Sequence, residues 1–202
     1  MLAAGADPNP TYTENCNPLS IAMAVRHIPL MEILLEAHAD PNGVAVMGMS
    51  ILYGAVLMRY EAGVELLLRR GARPDLTPTS PSLLSMASRS PAIFRFLLNA
   101  GADPNRKDTY EGTPLMETAR RDTELMRSLL DKGANPNIYD DRGWSALLNA
   151  VETQNVEAIN MLIGHGADVN HRDRDGWSAY DEARVLGCPA VVKILENAGA
   201  KD

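Results

Sequence analysis

A five-residue tract, Gly-Ala-Asp-Pro-Asn at 5–9, returns at a near-constant interval along all 202 residues and constrains the fold more than any other feature. It recurs unchanged at 101–105 and in altered form as HADPN at 38–42, GARPD at 71–75, GANPN at 133–137, GADVN at 166–170 and GAKD at 199–202. The tracts begin at 5, 38, 71, 101, 133, 166 and 199, so successive differences are 33, 33, 30, 32, 33 and 33. Recurrence at a fixed period of about 33 is the signature of a repeat array, one supersecondary unit per period.

A second pattern runs in the same register. Paired aliphatics precede most tracts, at Leu34-Leu35, Leu67-Leu68, Leu97-Leu98, Leu129-Leu130 and Leu162-Ile163. Between tracts lie helix openers: NPLSIA at 17–22, SILYGA at 50–55, SLLSMA at 82–87, TPLMETA at 113–119, SALLNA at 145–150 and SAYDEA at 178–183. This arrangement resembles the ankyrin-repeat family, whose opener reads roughly Thr-Pro-Leu-His-x-Ala-Ala and whose exit reads Leu-Leu-x-x-Gly-Ala-Asp-x-Asn. The resemblance spans essentially the whole chain, although Thr113-Pro114-Leu115 alone keeps the opener tripeptide and no unit keeps the family histidine. It implies an all-α repeat solenoid of helix–turn–helix units with β-turn or hairpin fingers. The expected organisation is a single domain over 1–202. A partial repeat at 1–12 precedes repeats at approximately 13–45, 46–77, 78–108, 109–140, 141–173 and 174–202.

The residues explain how such units would stack. Leu19/Ala22, Leu52/Ala55, Leu84/Ala87 and Leu147/Ala150 place a bulky and a small side chain on one face of each first helix. Pro18 and Pro114 suit the first turn of a first helix, and Pro29, Pro91 and Pro189 that of a second, where an absent N–H costs nothing. The glycines that open the tracts read as left-handed caps; His38 replaces one of them, so strain is expected there. No unit buries its apolar face alone, and stacking makes the core continuous. The stretch 76–91 is irregular, rich in Ser, Thr and Pro, with Pro78 and Pro81 opposing strand pairing, and a shortened or reshaped finger is expected.

Composition limits the function classes. Apolar residues make up 46% and charged residues 22%, ordinary for a globular chain. No apolar run reaches the roughly 18 residues of a membrane span. The net charge of −7 is uneven: residues 1–100 carry 7 basic and 8 acidic groups, residues 101–202 carry 12 and 18. That balance argues against duplex nucleic acid, which requires a basic face. Cys16 and Cys188 lie five units apart, several tens of ångströms if units stack about 10 Å apart. They cannot pair within one chain, which points to a reducing, cytoplasmic compartment, the nucleus included. Residues 1–9 read as a helix end without its helix pair, as expected of a piece of a longer array, and the apolar last helix, with Val191, Val192, Ile194 and Leu195, suggests an uncovered end.

The family resemblance implies a groove formed by fingertips and inner helix faces. Tyr110, Arg142, Trp144, Arg174 and Trp177 fall on or beside the fingertips of repeats four to six, and these residue types dominate binding hot spots. The alternative for the two indoles is that each braces its own turn, helped by Gly143 and Gly176. An N-terminal groove with Met47, Met49 and Tyr53 would be apolar; a C-terminal one with Glu117, Arg120, Asn149 and Asp181 would be polar and mixed in charge. The expected function is a non-enzymatic scaffold that binds a protein or peptide, without cofactor or metal, as a monomer or a weakly self-associating chain. Two rivals are a small-molecule or catalytic groove in the C-terminal repeats, using Glu117, Glu152, Asp181 and Glu182, and self-association through uncapped ends. Four histidines, at 27, 38, 165 and 171, show no metal-ligand spacing, and no phosphate loop or nucleophile elbow occurs.

Overall fold

Each opener begins with a residue that caps a helix. In the computed structural model, which describes residues 7–10, 17–44, 49–76 and 82–201, the first helices of the repeats are α1 (Pro18–Ala24), α3 (Ile51–Leu57), α5 (Leu83–Met86), α7 (Pro114–Ala119), α9 (Ala146–Glu152) and α11 (Ala179–Val185). Their N-caps are Asn17, Ser50, Ser82, Thr113, Ser145 and Ser178, the first residues of the six openers. At Ser50 and Ser145 the hydroxyl accepts from an N–H three residues on, at 3.1 and 3.2 Å, satisfying a donor the helix cannot. The second helices are α2 (Ile28–Glu36), α4 (Glu61–Arg69), α6 (Pro91–Asn99), α8 (Thr123–Asp131), α10 (Val156–Gly164) and α12 (Pro189–Asn197). Pro18, Pro29, Pro91, Pro114 and Pro189 all sit in first turns.

Packing divides the chain into two compact units, residues 1–103 and 104–202. In the first, α1, α3 and α5 pack in sequence, as do α2, α4 and α6; in the second, α7 packs on α9, α9 on α11, and α8 on α10. The bulky and small residues of the first helices meet as their spacing predicts: Leu19, Ala22, Leu52, Ala55, Leu84, Ala87, Leu147 and Ala150 are all at most 2% exposed. Phe94, Met31 and Ile93 fill the core of the first unit, and Leu125, Met126 and Ile159 that of the second. No strand forms among the described residues, where isolated bridges join Val44 to Ser50 and Arg172 to Ser178.

The last residue of the recurring tract joins one repeat to the next. Asn42 donates its amide to Gly71 O (3.2 Å) and accepts from Arg73 N–H (2.8 Å). Asn137 does the same to Gly166 O (2.9 Å) and Asp168 N–H (2.8 Å), and Asn170 to Gly199 O (3.2 Å) and Lys201 N–H (3.0 Å). Asn9 and Asn105 complete the series, at His38 and Asp40 and at Gly133 and Asn135. Position 75 departs from it. Asp75 accepts from Asp103 N–H at 2.7 Å, but a carboxylate has no proton to donate to the carbonyl of Gly101. Asp75→Asn is expected to raise the unfolding free energy by about 0.5–1.5 kcal/mol, the net worth of one hydrogen bond. Urea unfolding monitored by circular dichroism checks it; a loss of stability would show that the other contacts of the carboxylate outweigh the added amide.

His38 adopts φ of 66°, where the equivalent Gly71, Gly101, Gly133, Gly166 and Gly199 take 81–92°, so the side chain occupies the left-handed region that favours glycine. The irregular unit contains the shortest helix among the described residues, the four-residue α5. Pro78, Pro81, Met47 and Cys16 lie outside the described residues. The outer end also differs from expectation in one respect. Leu195 is 0% exposed and Val191 2%, so both belong to the core, while Val192 is half-buried. Their four-residue spacing puts these two on one face of α12.

Candidate functional site

Three fingers of the second unit share one construction. Asp108 accepts at a single carboxylate oxygen from the N–H groups of Tyr110 (2.8 Å) and Gly112 (3.0 Å). Asp140 holds Arg142 and Trp144 in the same way (2.9 and 2.8 Å), and Asp173 holds Asp175 and Trp177 (3.0 and 2.9 Å). The backbone closes each loop: Asp108 N–H donates to Gly112 O, Asp140 to Trp144 O and Asp173 to Trp177 O, at 2.8, 3.0 and 2.8 Å. One aspartate side chain thus organises five residues, an Asx-type turn. The equivalent positions in the first unit are Tyr12, Ala45 and Thr77, which have no carboxylate.

Adjacent fingers touch at Gly143. Arg174 N–H donates to Arg142 O (3.0 Å), and His171 Nε2 meets Gly143 O at 2.8 Å. Facing a carbonyl, that nitrogen carries the proton. The His171 ring stacks on Tyr139 with centroids 3.6 Å apart and planes 12° from parallel. Burial, then the nearby Asp168 carboxylate, raises the Tyr139 phenol above its usual range and keeps it neutral.

Between the fingers 108–112 and 140–144, a groove of about 360 Å³ opens onto the first turns of α7 and α9. It gathers Tyr110, Glu117, Arg120, Arg142 and Asn149 of the residues singled out by sequence. Tyr110 is 75% exposed and presents its ring to solvent. Arg142 lies over the half-buried indole of Trp144, 4.6 Å from the ring centroid, and pairs with Asp140 at 3.1 Å. Arg120 donates to Asn149 Oδ1 (2.9 Å) and lies 2.6 Å from Glu152 Oε2. That contact is an ion pair although its angles fall outside those of a hydrogen bond, and the short separation carries the attraction. Asn149 is buried and donates in turn to Ser145 O (2.9 Å), which fixes the amide's orientation. Glu117 is 3.6 Å from Arg121, which lies just past the end of α7.

The remaining sequence-selected residues lie elsewhere. Trp177, 42% exposed, borders a separate depression with Asp181, Arg184 and Val185. Arg174 is exposed, with its backbone in the joint described above. Asp181 accepts from Ser178 Oγ (2.6 Å) and Ser178 N–H (3.0 Å) and pairs with Arg172 (2.9 Å). The Ser178 hydrogen bonds, aided by Arg172, hold its carboxyl below the usual range, the opposite of what a general acid needs. Met49 and Tyr53 are half-buried in the first unit, where Ile21 of α1 (48%), its C-cap Val25 (66%) and Leu57 of α3 (63%) are exposed. Asp108 and Asp140 were not singled out from the sequence. The signal was present: an aspartate four residues before each fingertip at 112, 144 and 177. Among the described residues no group of three or more His, Cys, Asp or Glu is placed to hold a metal ion.

Paired helices at a 33-residue interval, asparagine links between exits and Asp-closed fingers define a helical repeat protein. The family model for ankyrin repeats (three copies) matches residues 83–173 and 115–201, which together cover more than half of the chain. The chain belongs to the ankyrin-repeat family, and its fold is an all-α repeat solenoid. It is similar to an ankyrin repeat domain from Acinetobacter baumannii AYE, with a TM-score of 0.82 and 29% identity, covering 91% of this chain and 98% of that one. It is 33% identical over 113 residues to the transient receptor potential channel pyrexia of Drosophila melanogaster, a match that takes in 54% of this chain and 12% of the channel. Ankyrin repeats are generally protein-interaction modules and typically non-catalytic. Among the described residues no helix is long and apolar enough to cross a membrane.

Proposed function

We propose that the chain is a non-enzymatic module, a single ankyrin-repeat domain of the cytoplasm or nucleus, that holds a partner protein or peptide on the groove and fingertips of its second unit. The observation that carries this reading is the convergence of Tyr110, Arg142, Arg120, Glu117 and Asn149 on one groove, with the Tyr110 ring exposed at its rim. Aromatic and arginine side chains bury large areas while keeping polar contacts, and they anchor interfaces for that reason. Trp177 adds a second exposed aromatic two fingers away. The catalytic rival is disfavoured because Glu117, Glu152 and Asp181 are each already paired with an arginine.

Affinity capture from the source cell's lysate tests the proposal, comparing the native chain with the Tyr110→Ala/Trp177→Ala variant. Both side chains are exposed, so thermal melting should move by no more than about 0.5 kcal/mol equivalent. A protein retained by the native chain and lost with the variant is the expected result. A partner retained equally by both would place the interface elsewhere.

A further inference from the structure

The groove's own cations are already matched. Arg120 faces Glu152 and Asn149, and Arg142 faces Asp140 and the Trp144 ring. Two lining carboxylates have no such match. Asp108 caps its turn through one oxygen and pairs with no guanidinium or ammonium group among the described residues. Asp141 is exposed and makes no ion pair or side-chain hydrogen bond among them. The lining holds four carboxylates (Asp108, Glu117, Asp140 and Asp141) against two guanidiniums (Arg120 and Arg142). The whole second unit, residues 104–202, carries 17 acidic and 12 basic groups. The field in this concavity therefore favours cations and repels phosphate.

Charge alone would describe any acidic surface; the aromatic rim narrows the occupant. Tyr110 projects beside the unmatched carboxylates and leaves three-quarters of its surface in water. A planar guanidinium can lie against a tyrosine face and donate to two carboxylates at once, which a compact ammonium does less well. The side chains around the groove are set for such a guest: the Asp108 and Asp140 turns, and the Arg120–Asn149–Ser145 chain of contacts, hold its walls before anything binds.

We propose that this groove seats an arginine side chain of a basic peptide segment, with the guanidinium between Asp108 and Asp141 and against Tyr110. The proposal rests on the docking reading above and names the chemistry of the occupant. Isothermal titration of the full chain with acetylated, amidated hexa-arginine, hexa-lysine and hexa-glutamate peptides tests it. Hexa-arginine is expected to bind most tightly and hexa-glutamate not at all. Asp108→Asn keeps the turn-capping oxygen, so the Asp108→Asn/Asp141→Asn variant should fold normally while weakening hexa-arginine binding by about tenfold or more. Tyr110→Ala should weaken it by about threefold or more. Asp175→Asn, which removes an exposed charge from the next finger, should change it by less than about twofold. Equal weakening by Asp175→Asn would reduce the effect to overall charge and overturn the proposal, as would an absence of hexa-arginine binding. If a captured partner is lost with Tyr110→Ala/Trp177→Ala while hexa-arginine fails to bind, the docking surface stands and the basic occupant falls.

Discussion

Phe94→Ala is expected to lower the unfolding free energy by about 3–5 kcal/mol, the usual cost of emptying a buried aromatic site. Phe94 is 0% exposed in α6, among Ile93, Leu97 and the other core side chains of the first unit. Neighbouring helices are held by the asparagine links and by their own caps, so the cavity collapses only in part. Because repeat proteins draw stability from nearest-neighbour contacts, the loss falls first on the unit that contains the cavity. Both tryptophans, Trp144 and Trp177, belong to the other unit. Urea unfolding should therefore show an early phase by far-ultraviolet circular dichroism, while the midpoint followed by tryptophan emission moves less. A total loss below about 1 kcal/mol would mean that the site repacks around alanine.

Gly143→Val is the second change with a large expected effect, and it acts on backbone rather than core. Gly143 has φ of 83°, a conformation a β-branched residue enters only with strain. A Cβ added there would lie 3.0 Å from Arg174 N and 3.1 Å from Asp173 Cα, both backbone atoms that cannot swing aside. The strained conformation costs about 1–3 kcal/mol before the clash is counted. Relief requires the fingers 140–144 and 173–177 to separate, breaking the Arg174–Arg142 and His171–Gly143 hydrogen bonds. A fall in melting temperature together with increased exposure of the Trp144 indole to a quencher is the expected result. Unchanged melting would show that the joint between fingers contributes little to stability.

The two substitutions divide the protein by how readily each part is seen in the chain. The 33-residue recurrence, the Leu/Ala pairs and the placement of proline in first turns are local or periodic, and each follows from the geometry of one helix. For that reason the fold, the left-handed glycine caps and the strain at His38 were legible in the residues alone. Positions such as Tyr110, Arg142 and Trp144 were legible as fingertips because the register put them there.

What occupies a groove depends on which side chains are already partnered, and that is a matter of distance across repeats. Asn149 reads as an exposed groove residue, yet it is buried and held by Arg120, 29 positions earlier. Asp181 reads as an open carboxylate, yet Ser178 and Arg172 enclose it. Leu195 reads as part of an apolar end, yet it is core. Asp108 stands four residues before its fingertip, as Asp140 and Asp173 do, yet the turn that gives this spacing its role forms only in the fold. Periodicity thus determined the solenoid and its register, because helical geometry repeats with the sequence. Only the tertiary structure decided which charges remain unmatched, because pairing energy depends on separations of 3–4 Å that no linear spacing encodes.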